Sequence, residues 1–504
     1  MRPHIDDVAF AVEEHIWGHR LYDEQLPHLT FFEFLGILLF KRDKPLEADS
    51  DGFVRYVPRR QFLLRNVLFN NPHIDTISTR RVPDEDKWEE WHRSFLVGTS
   101  GIGDQDLTHL RDVFQNFEDF ARSVELLRAS AFEVNSNKRW SSKFVFPFGP
   151  DSLYEDLRVD AKTGSASNDR RFFARSGELL YLMLCRAERA PELGRLLVER
   201  LFDQSSMLNR LARAIQGSAD DAKSSRTSGY LPVVPTERFD RMCDDWIAIL
   251  SRDMPVGNAI EHLVTSAGLN LLLYFLERGK VTVGDSYPVE FICEIVSRDR
   301  SKVRALSADS WQANQGLSLR ATRASVESVR RMPEWEVALT SGSPRHDCAE
   351  LMRGQFQWPA EDAGLSSLEP DELIAELVDE AESRHSQHFG KIHSSWARSL
   401  GLSSRRLSRR TRYAPNDRLL KTLVVTMVDT RIEFGEFLRE AKRRYGVVVG
   451  EAEGARLVQE GLVDQEALSD NAARLEERLL ALGLLRRLSD SCSFVENPFS
   501  EEGR

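Results

Sequence analysis

The chain has 504 residues, of which 41% are hydrophobic and 29% are charged, and its formal net charge at pH 7 is -11. These proportions exclude a disordered chain, and the length exceeds what one hydrophobic core supports, so about three domains are expected. The net negative charge excludes nonspecific binding of nucleic acid over the whole surface, because phosphate groups bind where the electrostatic potential is positive. Any nucleic-acid contact must therefore use a local basic patch.

The N-terminal region, 1–215, is predicted to be a mixed, mostly helical domain. The apolar run 31–40 predicts a buried helix, and the spacing of apolar residues over 104–127 predicts an amphipathic helix. Between them, 98–103 is rich in glycine. Because it lacks the lysine of a phosphate-binding P-loop, it is expected to be a plain connecting loop.

Three charged residues near the end of this region can share one helix face. Arg171, Arg175 and Glu178 recur at i, i+4 and i+7, a spacing that brings side chains together on a helix. One interpretation is an intrahelical ion pair of little energetic weight, because exposed charge pairs are mostly solvated. The other is a face that binds an anion or a partner protein.

A polar linker and a helical middle domain are predicted next. Residues 216–228 contain no apolar residue larger than alanine, and prolines follow at 232 and 235. The stretch 216–236 is therefore predicted to be an interdomain linker. Residues 237–400 are predicted to be helical, with a β segment at 281–283 and an acidic amphipathic helix within 361–382.

A short connector, 401–412, is rich in arginine. It contains Arg405, Arg406, Arg409, Arg410 and Arg412. These cations either neutralise the acidic helix upstream and are otherwise solvated, or they form a nucleic-acid-binding strip. Arginine suits the second role because its planar fork pairs two phosphate oxygens at once.

The C-terminal region, 413–504, is predicted to be a winged-helix-like domain. A proline and an Asn/Asp pair precede a helix that begins near Asp417, a second helix ends at Gly446, and a last helix ends at Gly483. The polar break 489–491 predicts a terminal hairpin. The last helix mixes arginines and glutamates and shows no set of side chains suited to hydrogen bonding with base edges. This favours protein contact at least as strongly as DNA contact.

Histidines are the candidates for catalysis or metal binding. His385, His388 and His393 are spaced by three and five residues, and the first two can share a helix face. Gly390 interrupts the pattern, and no carboxylate lies between them to complete a metal site. No catalytic residue, metal ligand or cofactor is therefore assigned.

Cysteine usage and the apolar runs favour a cytoplasmic protein. The five cysteines lie far apart and form no CxxC pair, which argues against a zinc site or a disulfide framework. The start of the chain is acidic where a signal peptide needs a basic and then an apolar segment. The runs 31–40 and 263–276 are predicted core helices, because a bilayer takes about 20 apolar residues. No membrane partner is expected.

Several segments carry a resemblance to a known group of proteins. The segments 143–150, 171–181, 413–417 and 496–499 resemble large subunits encoded in bacterial anti-phage defence operons linked to DNA modification. The resemblance includes no catalytic signature. It implies a cytoplasmic subunit of a multi-protein defence assembly.

Two functions follow as expectations. The first is a non-catalytic, mainly α-helical, multidomain subunit that contacts other protein subunits and DNA, using the C-terminal domain and the arginine connector. The alternative is a metal-dependent nuclease or other hydrolase built around His385 and His388.

Overall fold

The computed structural model describes most of the chain. The described residues are 8–18, 25–57, 59–60, 62–69, 71, 73–98, 107–129, 149–153, 157–159, 166–168, 176–217, 220–221, 226–228, 235–296, 302–356, 368–489 and 492–500. The predicted glycine-rich loop lies outside them from residue 99 onward, as do most of the segment 143–150 and half of the predicted linker.

Helices dominate the described residues, which confirms the predicted mainly α, multidomain fold. Helices α1 to α22 are, in chain order, Val8–Trp17, Pro27–Phe40, Phe62–Phe69, Ile74–Ser78, Asp84–Gly98, Thr108–Val113, Phe117–Ala129, Ser176–Leu184, Ala190–Leu201, Met207–Gln216, Glu237–Leu250, Val256–Val283, Lys302–Gln315, Leu317–Glu327, Pro333–Leu339, Pro344–Phe356, Pro370–Gln387, Phe389–Ser399, Asp417–Met427, Phe434–Tyr445, Ala455–Gln459 and Gln465–Ala481. Short 3-10 helices occupy Pro150–Ser152 and Ser328–Arg331.

The strands are short and form small separate sheets. Strands β1 to β13 are, in chain order, Arg55–Tyr56, Arg59–Arg60, Leu157–Val159, Ala166–Asn168, Asp220–Asp221, Arg226–Thr227, Phe291–Ile292, Ser403–Ser404, Arg412–Tyr413, Arg431–Glu433, Val447–Val448, Leu485–Ser489 and Cys492–Glu496. Most of them pair two by two, and β10, β13 and β12 form a three-stranded antiparallel sheet in that order.

The chain folds into two compact units. The first comprises Met1–His28, Arg186–Ala190 and Gly229–Arg504, and the second comprises Leu29–Cys185 and Pro191–Ser228. The regions predicted as a middle domain and a C-terminal domain both belong to the first unit.

Helix α12 forms the centre of the first unit. Most of its residues between Ala259 and Leu276 are buried, and it packs against α11 and α14. It has the length and hydropathy to cross a membrane, yet 94% of its most apolar stretch is buried inside the protein, as predicted for a core helix. The prediction of a β segment at 281–283 is wrong. Those β-branched residues continue α12 to Gly284, which ends the helix in a left-handed conformation, because tertiary context outweighs local β propensity.

The second unit contains an aromatic core. Trp88 and Trp91 of α5 pack against Phe117 and Phe120 of α7, with ring centroids 4.9 to 6.2 Å apart. The amphipathic helix predicted over 104–127 is divided into α6 and α7. The reason is local, since the Asn116 side chain accepts a hydrogen bond from the backbone N–H of Asp119 and caps α7.

The C-terminal part of the first unit follows the predicted order of elements. Helix α19 begins at Asp417, with Asn416 accepting a hydrogen bond from the Leu419 N–H at 2.9 Å. Helix α20 ends at Gly446 in a left-handed conformation. The predicted terminal hairpin is present as β12 and β13. Strand β11 follows Gly446 directly and pairs in parallel with β7.

Candidate functional site

The predicted arginine connector is a β-hairpin with an exposed loop. Strands β8 and β9 pair Ser403 with Tyr413 and Ser404 with Arg412. The seven residues between the strands, 405–411, are called the arginine loop below. Four of the five predicted arginines lie in this loop, and the fifth lies in β9.

Arg412 is the exception to the predicted phosphate-binding role. Its side chain is fully buried, and its Nε donates to the equally buried carboxylate of Glu294. Its Nη2 donates to the backbone carbonyl of Arg406 at 2.7 Å. A guanidinium enclosed in this way cannot reach a polyanion, so the prediction is corrected for Arg412. The residue instead anchors the base of the arginine loop.

The partner of Arg412 is a second anchor that the sequence did not reveal. Glu294 lies 118 positions upstream and also accepts a hydrogen bond from Nε of Arg304 at 2.7 Å. Arg304 reaches the loop as well, because its Nη1 donates to the Leu407 carbonyl at 3.4 Å. The only sequence signal for Glu294 is an acidic residue within an otherwise apolar run, 291–295.

The four remaining arginines are exposed and differ in their partners. Arg405 donates to the neutral hydroxyl of Thr411 at 2.8 Å. Arg410 forms an ion pair with Asp309 at 2.5 Å. In the described part of the chain, the guanidinium groups of Arg406 and Arg409 have no hydrogen-bond or carboxylate partner. Arg405, Arg406 and Arg409 are therefore cations without a carboxylate partner at the tip of the hairpin.

Backbone geometry keeps these cations exposed. Leu407 has a φ of 58° and is 58% exposed, a left-handed conformation that costs a non-glycine residue about 1–2 kcal/mol. The hydroxyls of Ser404 and Ser408 accept from the backbone N–H groups of Arg406 and Arg410, at 3.1 and 3.2 Å. Exposed backbone strain of this kind is more often found at binding sites than elsewhere.

Of the second predicted group of charged residues, Arg171, Arg175 and Glu178, only Glu178 belongs to the described residues. Arg171 and Arg175 lie outside the described residues. Glu178, in the first turn of α8, is 1% exposed and accepts a hydrogen bond from the Tyr56 hydroxyl at 2.7 Å. Its prediction as a partner- or anion-binding residue is therefore corrected, because its carboxylate is enclosed within the second unit.

The predicted histidine cluster is divided among different partners. Nε2 of His385 lies 2.9 Å from the Ser318 hydroxyl, and Nε2 of His393 lies 2.8 Å from the Tyr413 hydroxyl. Burial lowers the pKa of His385 to about 4 and that of His393 to about 3. Both imidazoles are therefore neutral at physiological pH and hold helices α17 and α18 in place. Among the described residues, no group of three or more His, Cys, Asp or Glu is arranged to hold a metal ion.

Helix α22 presents an acidic surface. Its exposed charged residues are Glu466, Asp470 and Glu477. Of the two arginines of this helix, Arg478 pairs with Asp417 at 2.7 Å and Arg474 is only partly exposed. An acidic helix surface repels the phosphates that flank a DNA groove, so this helix suits contact with a protein rather than with DNA.

Comparisons of the chain with protein-family models, with curated proteins and with solved structures found no significant match.

Proposed function

We propose that this chain is a non-catalytic, cytoplasmic subunit of a bacterial defence assembly, which contacts DNA through the arginine loop and other protein subunits through its C-terminal segment. The observation that carries the DNA-contacting part is an exposed group of three arginines, which have no carboxylate partner among the described residues, on a loop fixed by a buried ion pair. Cations held in advance on a rigid hairpin bind phosphate with little loss of conformational entropy.

The order of elements in the C-terminal segment supports a winged-helix-like module. Helix α19, strand β10, helices α20 and α22, and hairpin β12–β13 succeed one another along the chain. Strand β10 pairs with β13 on the side opposite β12. A winged helix requires this combination of a helical group with a three-stranded antiparallel sheet. In this module, α22 occupies the place of the helix that enters the major groove in DNA-reading relatives of the motif.

The charge of α22 decides what the module contacts. Because its exposed charges are acidic, we assign the helix to a protein partner with a basic surface and assign DNA contact to the arginine loop. The two contacts then use separate surfaces of one subunit. This division accounts for a strongly acidic chain that carries a local basic patch.

The DNA contact is tested by replacing Arg406 and Arg409, whose guanidinium groups have no partner in the part of the chain that the structure describes. We expect Arg406→Ala/Arg409→Ala to weaken binding of a double-stranded oligonucleotide, with the slope of log K against log salt reduced by about 2, because each phosphate contact contributes about 0.9. Fluorescence anisotropy at several KCl concentrations measures the slope. Arg406→Lys/Arg409→Lys should keep most of the slope, since the charge remains.

A matched control separates this contact from the effect of net charge. Arg330 and Arg345 are exposed and pair with Asp371 and Glu369, so Arg330→Ala/Arg345→Ala changes the net charge equally. We expect this control to leave the salt slope unchanged. Equal slopes for the loop variant and the wild-type chain would remove the arginine loop from the proposal.

The protein contact is tested on α22. We expect Glu466→Lys/Glu477→Lys to lose the partners that co-purify with the tagged chain from its native cells, because charge reversal places like charges against a basic partner surface. The control is Glu334→Lys/Glu336→Lys, which changes two exposed glutamates of α15 by the same charge. Quantitative mass spectrometry of the captured proteins compares the variants. Identical partner recovery from both variants would contradict the assignment of α22.

A further inference from the structure

A pocket of about 400 Å³ lies in the first unit, away from the arginine loop. It is lined by the first turns of α12 and α19, by the turn between α22 and β12, and by the residues that follow β13. A pocket of this size lies within the range that encloses small ligands. We call it the His262 pocket, after the imidazole that lines it.

His262 presents a hydrogen-bond acceptor to this pocket. The side chain is 8% exposed, and its Nδ1 lies 2.8 Å from the Thr422 hydroxyl. Because that hydroxyl donates to the Arg418 carbonyl at 3.1 Å, we assign the proton to Nδ1 of the imidazole. Nε2 is then an unprotonated acceptor, and it has no partner among the described residues.

Two cations lie beside this acceptor. Arg418 and Lys421 occupy positions i and i+3 of α19, which places them on one face of the helix. Arg418 donates only to the backbone carbonyl of Ser399, and within the described residues Lys421 has no partner. The pocket wall contains one carboxylate, that of Glu261, against these two cations. The polar part of the pocket is therefore positively charged.

The N-terminus of α12 adds to this field. The helix begins at Val256, no side chain caps it, and Asn258 from its first turn lines the pocket. Free backbone N–H groups and the helix dipole favour an anion at this position. The apolar part of the wall includes Val425, Leu484 and Phe499.

From these features we propose that the His262 pocket binds a nucleoside monophosphate group. The phosphate lies against Lys421, Arg418 and the start of α12, a hydroxyl or exocyclic amino group of the ligand donates to Nε2 of His262, and the flat base packs on the apolar wall beside Phe499. The group can come from a free nucleotide or from the 5′-phosphorylated end of a strand. None of the arginine-loop residues lines the pocket, so this inference does not rest on the proposed DNA contact.

Calorimetric titration of the full chain tests the pocket. The titrated protein is the Arg406→Ala/Arg409→Ala variant, so that binding at the arginine loop does not contribute to the measured heat. Deoxyadenosine 5′-monophosphate should bind with a Kd below about 1 mM, more tightly than inorganic phosphate, and deoxyadenosine should not bind measurably. Lys421→Ala should weaken nucleotide binding about tenfold, the usual effect of losing a charged hydrogen bond. Lys302→Ala removes an equally exposed lysine elsewhere and should have no effect.

A second variant tests the role of Nε2 of His262. His262→Asn keeps a donor near the position of Nδ1 and removes Nε2, so it should also weaken the nucleotide about tenfold without changing the affinity for inorganic phosphate. Comparing a 5′-phosphorylated tetranucleotide with its 5′-hydroxyl form identifies the source. Preference for the phosphorylated form indicates a strand end, and exclusion of both, with the mononucleotide bound, indicates a free nucleotide. Equal binding of deoxyadenosine and its monophosphate, no binding of the monophosphate, or an unchanged Kd in Lys421→Ala overturns the proposal.

Discussion

Replacing Glu294 with alanine should lower the free energy of unfolding by about 3–5 kcal/mol, because it leaves Arg412 as a buried charge without its counter-ion. The side chains of Glu294 and Arg412 are both fully buried. Arg304 loses its carboxylate partner in the same variant. Urea denaturation followed by circular dichroism measures the change.

The arginine loop supplies the control for this prediction. Asp309 pairs with Arg410 of the same loop, but both side chains are more than half exposed. Asp309→Ala should therefore cost less than about 1 kcal/mol, as exposed ion pairs do. The double variant Glu294→Leu/Arg412→Met should recover much of the lost stability, because apolar residues of similar volume replace a buried ion pair well. Equal costs for the two single variants would show that burial does not distinguish the two pairs.

A second large effect is expected at Asp245, which lies at the junction of three helices. Its carboxylate accepts from the Tyr445 hydroxyl at 2.7 Å and from the Asn270 amide at 2.8 Å, and Arg444 lies 3.4 Å away. Asp245→Ala removes the acceptor that these donors share, at about 1–3 kcal/mol for each buried group left unsatisfied. We expect a total loss of about 3–5 kcal/mol, comparable with that of breaking a buried ion pair.

The ionisation of Asp245 predicts in which direction the stability of the fold changes with pH. Burial raises the pKa of Asp245 above its ordinary value of 3.8, and the surrounding donors oppose the shift. A carboxyl with a raised pKa in the folded state stabilises the fold below its ordinary pKa, and this contribution is lost as the pH rises through the raised value. Asp245→Asn cannot titrate. Relative to the wild-type chain, this variant should therefore gain stability as the pH rises from about 4 to about 7. A stability difference that is constant over this range would contradict the raised pKa.

Much of the local structure was predictable from the sequence because its causes lie within a few residues. Asn416 caps α19 through the N–H of Leu419, and Gly446 ends α20 in a conformation that suits glycine. The buried run 31–40 belongs to helix α2. The strands of the hairpin, β12 and β13, lie on either side of the polar break that predicted it. Capping residues, glycines and apolar spacing act over one or two helical turns, so a sequence carries them directly.

The function of individual charged side chains was not predictable in the same way. Arg406 and Arg412 are the same residue type in one short segment. Arg406 is exposed and its guanidinium has no partner among the described residues, whereas Arg412 is enclosed with Glu294. His385 and His393, two of the three histidines considered for metal binding, instead contact Ser318 and Tyr413. In each case the deciding partner comes from a distant part of the chain, and nothing local marks it.

From the sequence alone we could predict a mainly α-helical, multidomain chain, the bounds of several of its helices, and a cluster of five arginines ahead of the C-terminal segment. Whether each of those arginines is exposed or enclosed depends on tertiary contacts, which also form the His262 pocket from elements more than 200 positions apart. The physical reason is that helix formation depends on neighbouring residues, whereas burial and ion pairing depend on which distant residues the fold brings together.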